Sequence, residues 1–115
     1  MVHEDTSGQR DPLVKAAEDV RMNAYAPYSK FYVSASFELS DGRIFSGVNV
    51  ENCSYGLTVC AERNAIANAV VAGAKPGEFV RAAVVCDAMD ITAPCGACRQ
   101  VMAEFMDPEA PVILM

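Results

Sequence analysis

The sequence predicts an α/β fold with three layers, in which a mixed β-sheet lies between helices. Three observations predict this class. Stripes of apolar residues at helical spacing alternate with segments of strand pattern. An Asp-Gly pair at 41–42 indicates a tight hairpin. The run from Phe79 to Cys86 is almost continuously apolar, as in a strand that is covered on both faces.

The predicted order of elements is α-β-β-α-β-α-β, within one domain at residues 11–115. Residues 1–10 are polar and aperiodic, which predicts a flexible lead-in. Asp11 and Pro12 are typical of a helix start, as N-cap and first helical residue. The apolar stripe of this helix runs from Leu13 to Ala24. An antiparallel strand pair is then predicted at 31–39 and 43–50.

The second half of the chain reads as helix and strand in alternation. We expect a helix over 59–72 with Thr58 as its N-cap and Gly73 just beyond its end. The apolar strand Phe79–Cys86 follows, then a helix over 96–106 and a strand from 112 onward. Helical crossovers between the later strands predict parallel pairing there.

Composition excludes several functional classes. Nine Lys and Arg against fifteen Asp and Glu give a net charge of −6, which argues against a nucleic-acid binder. The apolar runs are too short to span a membrane. Five cysteines without a signal-peptide pattern predict a cytoplasmic protein with reduced thiols. The apolar surface that so small a domain leaves uncovered predicts an oligomer.

Two short segments, Cys60–Arg63 and Pro94–Cys98, carry the candidate chemistry. Each follows a predicted strand and opens a helix. If those strands are parallel neighbours, both helix N-termini meet at one edge of the sheet. The thiols of Cys60, Cys95 and Cys98 would then converge, and three thiolates select zinc while leaving a fourth position for water. Glu62 is placed to act as general acid and base, and Arg63 to offset the thiolate charge.

Two other classes of function compete with a hydrolytic zinc site. The Cys95-x-x-Cys98 pair alone is also typical of a thioredoxin-type redox module, or of half a zinc-binding interaction module. Neither explains the Cys60-Ala61-Glu62-Arg63 segment, and a structural zinc site needs a fourth ligand. The combined pattern matches the signature of zinc-dependent nucleobase deaminases in its three-cysteine form.

Four segments in order extend that match over most of the chain, namely 24–31, 47–52, 54–63 and 94–101. With them the sequence resembles the small, homotetrameric, zinc-dependent cytidine deaminases. The resemblance implies their fold, one Zn²⁺ per chain and a free nucleoside substrate. The implied reaction converts cytidine or deoxycytidine to uridine or deoxyuridine plus ammonia, in pyrimidine salvage. A zinc-activated hydroxide attacks, and Glu62 shuttles the proton.

The resemblance also implies a role for each site residue. Cys60, Cys95 and Cys98 hold zinc, and Arg63 compensates their charge. Asn49 and Glu51 hold the ribose, chiefly its 3′-hydroxyl. Phe31 packs on the pyrimidine, the backbone at Cys53 and Ala61 faces the base, and Tyr55 lines the ribose end. An antibiotic nucleoside as substrate, or a catalytically impaired zinc-binding form, are the alternatives within the family.

Two departures from the family pattern stand out. Tyr32-Val33-Ser34-Ala35-Ser36 replaces a usual Pro-Val-Gly-Ala-Ala, and the sequence does not contain the further strand and tail that the family has after the position of Met115.

Overall fold

The elements of the chain follow the predicted order. A computed structural model describes residues 11–86 and 96–115, so the predicted lead-in at 1–10 and the segment 87–95 lie outside the described part. Within those two ranges, no helix is long and apolar enough to cross a membrane. The helices and strands are α1 Pro12–Val20, β1 Val33–Leu39, β2 Ile44–Val48, α2 Ala61–Val71, β3 Phe79–Cys86, α3 Gly96–Phe105 and β4 Val112–Leu114.

The strands form one mixed sheet in the order β2-β1-β3-β4. β1 is antiparallel to both β2 and β3, whereas β3 and β4 are parallel, which confirms both predicted kinds of pairing. The predicted hairpin is closed by the N–H of Leu39, which donates to the carbonyl of Arg43 at 2.8 Å. Gly42 has a φ of 93°, a left-handed conformation that glycine adopts without strain.

Helices cover both faces of this sheet, which confirms the three-layer architecture. α1 packs on one face, where Leu13 and Ala17 contact the strand residues Ala83 and Val85. α2 and α3 share the other face. There the rings of Phe37, Phe79 and Phe105 meet edge to face, with centroids 5.8 Å and 5.5 Å apart. These ring contacts tie α3 to the centre of the sheet.

The predicted start of α2 is wrong by two residues. Val59 forms an antiparallel bridge with Val50, and each donates a backbone hydrogen bond of 2.9 Å to the other. This pairing keeps the chain extended through Val59, so the helix starts at Ala61 and Cys60 is its N-cap. Thr58 therefore caps no helix, and its hydroxyl accepts from the N–H of Asn52 instead.

α1 ends at Val20, four residues before the end of its predicted stripe, and a single 3₁₀ turn follows. The N–H of Arg21 donates to Glu18, three residues back. The carbonyl of Ala17 is met instead by the hydroxyl of Ser34, at 2.6 Å. Ser34 is fully buried. This departure from the family pattern thus satisfies a buried carbonyl at the change of helix type.

A charged network fixes the first turn of α1 to the sheet. The carboxylate of Asp11 accepts from the N–H of Leu13, and both its oxygens pair with the guanidinium of Arg81 at 2.5 and 3.0 Å. The Nε of Arg81 also donates to Glu38 at 2.7 Å. The hydrogen bond from Arg81 holds the pKa of Asp11 below its ordinary value of 3.8.

This lowered pKa predicts a pH-dependent contribution of Asp11 to stability. Because the folded pKa lies below the unfolded one, the stabilisation is present in full above about pH 4 and is lost as the pH falls through the folded value. Asp11→Asn keeps the cap but removes the charge. It should lower the free energy of unfolding by about 1 kcal/mol at pH 7, with a smaller effect at pH 3.

Urea denaturation at both pH values measures this difference. Asp19→Asn is the matched control, because Asp19 pairs with Lys15 on the exposed surface of α1 and contributes little. An effect of Asp11→Asn that is equal at both pH values would contradict the assignment.

Candidate active site

The site lies at one edge of the sheet, where two helices begin. Since β1 is antiparallel to both β2 and β3, the ends of β2 and β3 and the start of β1 lie at this same edge. α2 begins after β2 and α3 after β3, on the same face of the sheet. The two strands point in the same direction as predicted, but they are not neighbours, because β1 lies between them.

The position of α2 depends on a close approach of its backbone to strand β2. A Cβ at Gly47 would lie 2.3 Å from the backbone nitrogen of Ala65 and 2.7 Å from the carbonyl of Ala61. Asn64 and Asn68 donate from α2 to the carbonyls of Val48 and Ser46, both at 2.8 Å. Helix and strand are therefore held backbone against backbone directly beside the first turn of α2.

The first turn of α2 brings Cys60 together with Cys98 of α3. The guanidinium of Arg63 lies against both sulfurs, and its Nη2 is 3.7 Å from the Sγ of Cys60. Hydrogen bonding to the Cys60 thiol is the largest cause of a raised pKa for Arg63. Cys98 is fully buried. The Nε of Arg63 is also buried and has no hydrogen-bond partner in the part of the chain that the structure describes.

Glu62 lies on the same turn, beside both thiols, and is only 4% exposed. Burial raises the pKa of its carboxyl above the ordinary 4.5, and the charge of Cys60 adds to that effect. A buried carboxyl whose pKa is raised is suited to taking up and releasing a proton.

A second group of predicted residues surrounds the start of β1. The side-chain amide of Asn49 donates to the carbonyl of Phe31 at 2.8 Å and accepts from the N–H of Val33 at 3.0 Å. The Val33 N–H therefore has the side-chain oxygen of Asn49 as its acceptor, whereas the backbone carbonyl of Asn49 accepts from the N–H of Tyr25. Phe31 is half-buried, and its backbone is held on both sides.

Glu51 organises the loop before Phe31. Its Oε1 accepts from the N–H groups of Tyr28 and Ser29 at 3.0 and 3.2 Å, and its Oε2 accepts from the hydroxyl of Ser29. The hydrogen bond from the Ser29 hydroxyl is the largest cause of a lowered pKa for Glu51. Glu51 is therefore a carboxylate at neutral pH.

The bridge between Val50 and Val59 joins the two groups. Asn49 precedes Val50 and Cys60 follows Val59, so in this antiparallel pairing they lie on the same side of the bridge. Of the remaining predicted residues, Ala61 is fully buried. Cys53 is exposed, and its Sγ lies 3.7 Å from the Oδ1 of Asn52. Cys95 and the side chain of Tyr55 lie outside the described residues.

The chemistry of this donor set fits zinc. Two thiols converge beside an arginine, and the buried Nε of that arginine is a donor for one further anionic group. Within 11–86 and 96–115, no three Cys, His, Asp or Glu side chains form a metal site by themselves, and the predicted third ligand, Cys95, lies outside these residues. Thiolates are zinc ligands, and three of them leave a position for water.

Comparison with known proteins agrees with this site. Residues 8–114 match the family described as the cytidine and deoxycytidylate deaminase zinc-binding region. A cytidine deaminase of Halalkalibacterium halodurans is 47% identical over 91% of this chain and 78% of its own length. A cytidine deaminase of Sporosarcina psychrophila is 45% identical over 90% and 75%. The crystal structure of a Burkholderia pseudomallei cytidine deaminase superposes with a TM-score of 0.86 at 52% identity, covering 90% of this chain and 81% of that one.

Fold, thiols and buried carboxyl together define a zinc-dependent hydrolase of the deaminase class. The chain belongs to the cytidine deaminase family. It deaminates cytidine with Zn²⁺ as cofactor, and the thioredoxin-type and interaction-module interpretations are set aside.

Two residues of this site have no predicted role. Ser29 and Gly47 lie in the family-like segments 24–31 and 47–52, and the resemblance assigns a contact to neither of them. A glycine inside a strand is the one signal of close backbone approach that the sequence offered.

The close approach at Gly47 predicts a large effect of a single methyl group. Gly47→Ala forces α2 away from β2, because the three atoms nearest the added Cβ all belong to the backbone of α2. We expect a loss of about 2 kcal/mol or more in the free energy of unfolding. The deaminase activity of the folded fraction should also fall, because Cys60 and Glu62 move with the helix.

Chemical denaturation and deaminase assays on the same preparation check both effects. Gly56→Ala is the matched control, since a Cβ there meets no atom within 4 Å, and its stability should stay within about 0.5 kcal/mol of wild type. A Gly47→Ala protein as stable as that control would contradict the proposed packing.

Proposed function

We propose that Cys60, Cys95 and Cys98 hold the zinc ion and that Glu62 carries the proton in deamination. The observation that supports this most is the burial of Glu62 beside the sulfurs of Cys60 and Cys98. Glu62 is close to the proposed zinc ligands but is not one of them. Arg63 lies against both sulfurs and lowers the cost of gathering thiolate charge in a buried place.

Bound zinc supplies Lewis-acid activation of a water molecule near neutral pH. Glu62 accepts the proton that this water releases and donates it to N3 of the cytosine ring, while the remaining hydroxide adds to C4. The carboxyl of Glu62 then transfers the proton of this new C4 hydroxyl group to the amino group. The C4–N bond then breaks, and uridine and ammonia leave. One carboxyl with a raised pKa can serve each of these transfers in turn.

The second group of residues holds the nucleoside in this proposal. Phe31 offers an aromatic face to the flat base, and the backbone at Cys53 and Ala61 faces the polar edge of the ring. Asn49 keeps one amide hydrogen, and Glu51 one acceptor position, for the hydroxyl groups of ribose or deoxyribose. Tyr55 closes the ribose end.

We also propose that the chain forms a homotetramer in the cytoplasm. Large apolar side chains are exposed near the site, among them Tyr25 at 55%, Tyr28 at 60% and Leu57 at 66%. Such a patch is typical of a subunit interface. The described cysteines are present as thiols, which fits a reducing compartment.

The tetramer predicts a defined solution mass. Sedimentation velocity at micromolar concentration should give a single species of four chains, and Leu57→Glu should shift the distribution to smaller species because it places charge in the interface. A monomer with full deaminase activity would contradict the tetramer.

The role of Glu62 predicts separate effects on metal and turnover. Glu62→Gln keeps the shape of the side chain but cannot carry a proton. The kcat for cytidine should fall at least about 1000-fold. Zinc content should remain one ion per chain, because Glu62 is not a ligand.

The measurements are the loss of ultraviolet absorbance of cytidine and metal analysis of the same sample. Glu104→Gln changes an exposed carboxylate of α3 in the same way and should leave both values unchanged. Near-normal turnover of Glu62→Gln would contradict the role of Glu62 as proton carrier. Loss of zinc from this variant would indicate that Glu62 is a metal ligand instead.

A further inference from the structure

We propose that Ser29 is a positioning residue for substrate binding: its hydroxyl fixes the Glu51 carboxylate so that one acceptor position on Oε2 faces the sugar. The proposal rests on the proposed function, in which Glu51 binds a hydroxyl of the sugar, namely the 3′-hydroxyl that the family resemblance implies. It concerns a residue that lies outside the metal-binding group and that the family segment alone left without a role.

Hydrogen bonds occupy most of the acceptor positions of the Glu51 carboxylate. A carboxylate offers about four lone-pair positions, two on each oxygen. Oε1 accepts two backbone hydrogen bonds, from Tyr28 and Ser29, and is filled. Oε2 accepts one, from the Ser29 hydroxyl. One position therefore remains on Oε2, and the hydrogen bond from the Ser29 hydroxyl determines in which direction that position points.

The hydroxyl of Ser29 is also hydrogen-bonded to the backbone of Phe31. The oxygen of Ser29 accepts the N–H of Phe31 at 3.0 Å while its proton goes to Glu51. A chain of two hydrogen bonds thus joins the residue proposed for the base to the residue proposed for the sugar. Hydrogen bonds in such a chain strengthen one another.

The backbone between Ser29 and Phe31 has an uncommon conformation. Lys30 has a φ of 60°, and it is the one residue other than glycine with a left-handed conformation in 11–86 and 96–115. Such a conformation costs about 1 kcal/mol and persists where its surroundings fix it. The N–H of Lys30 donates to the carbonyl of Ala26 at 3.0 Å. On either side of Lys30, the Ser29 hydroxyl and the Phe31 N–H are hydrogen-bonded to each other, and the same hydroxyl donates to Glu51.

The expected effect is on binding rather than on chemistry. Removing the hydroxyl frees the second position of Oε2, so that the carboxylate is held only through Oε1 by two backbone N–H groups, while Cys60, Cys98 and Glu62 keep their surroundings. Ser29→Ala should raise the KM for cytidine about tenfold, the loss of one hydrogen bond to a charged group, with kcat within about twofold of wild type.

A substrate that lacks the 3′-hydroxyl of the sugar distinguishes an effect of Ser29 on the position of Glu51 from a structural effect on the whole loop. If Ser29 acts through Glu51, its substitution should change the KM for 3′-deoxycytidine by less than about twofold, because the interaction that it orients is already missing. A structural effect on the loop would raise both KM values together.

Three further variants complete the experiment. Ser29→Thr keeps a hydroxyl and should restore the KM for cytidine to within about threefold of wild type. Ser29→Gly deletes the same hydroxyl and gives an independent measurement if Ser29→Ala is poorly folded. Ser40→Ala is the matched control, because Ser40 is exposed in the hairpin turn away from the site.

Equal increases for both nucleosides, or no increase for cytidine, would overturn the role of Ser29 alone. A wild-type protein that binds cytidine and 3′-deoxycytidine equally well would overturn the sugar contact of Glu51, and the proposal with it. A wild-type protein without cytidine turnover would overturn the proposed function itself, so the three failures are distinguishable.

Discussion

The backbone contact between α2 and strand β2 at Gly47 determines where the chemistry of this protein can occur. Without a side chain at Gly47, the helix approaches until Ala65 would touch any added Cβ. The side-chain amides of Asn64 and Asn68 stabilise that approach, because they donate to backbone carbonyls of strand β2. The N-terminus of α2, with Cys60 as its cap, is thereby fixed at the sheet edge where α3 also begins.

Electrostatics at this edge balance two unfavourable requirements. Thiolates must gather in a buried place, and a carboxyl must stay beside them. Arg63 meets the first requirement by lying against both described sulfurs. The second is met by a raised pKa, because burial and thiolate charge disfavour ionised Glu62. Glu51, in contrast, has its pKa lowered by donors and stays charged. The pKa values of these two carboxyls are therefore shifted in opposite directions, which suits Glu62 to the proposed proton-transfer role and Glu51 to the proposed hydrogen-bonding role.

The sequence was sufficient for the order of elements, the hairpin and the apolar strand Phe79–Cys86, because each depends on local periodicity and turn residues. It was insufficient where tertiary contacts override local preference. Thr58 is a good N-cap by type, yet the bridge through Val59 moves the helix start to Ala61. The pairing of β1 with β3, and the hydrogen bonds between Ser29 and Glu51, depend on partners more than 20 residues away. Spacing along a chain does not encode such contacts.

The most direct test of this account is zinc X-ray absorption on the purified protein. Three cysteines and one open position predict a coordination shell of three sulfur atoms at about 2.3 Å and one oxygen at about 2.0 Å. The oxygen should persist in Glu62→Gln, because Glu62 is not a ligand. A shell of four sulfur atoms would contradict the account, since Cys53 or Cys86 would then close the site and leave no position for water.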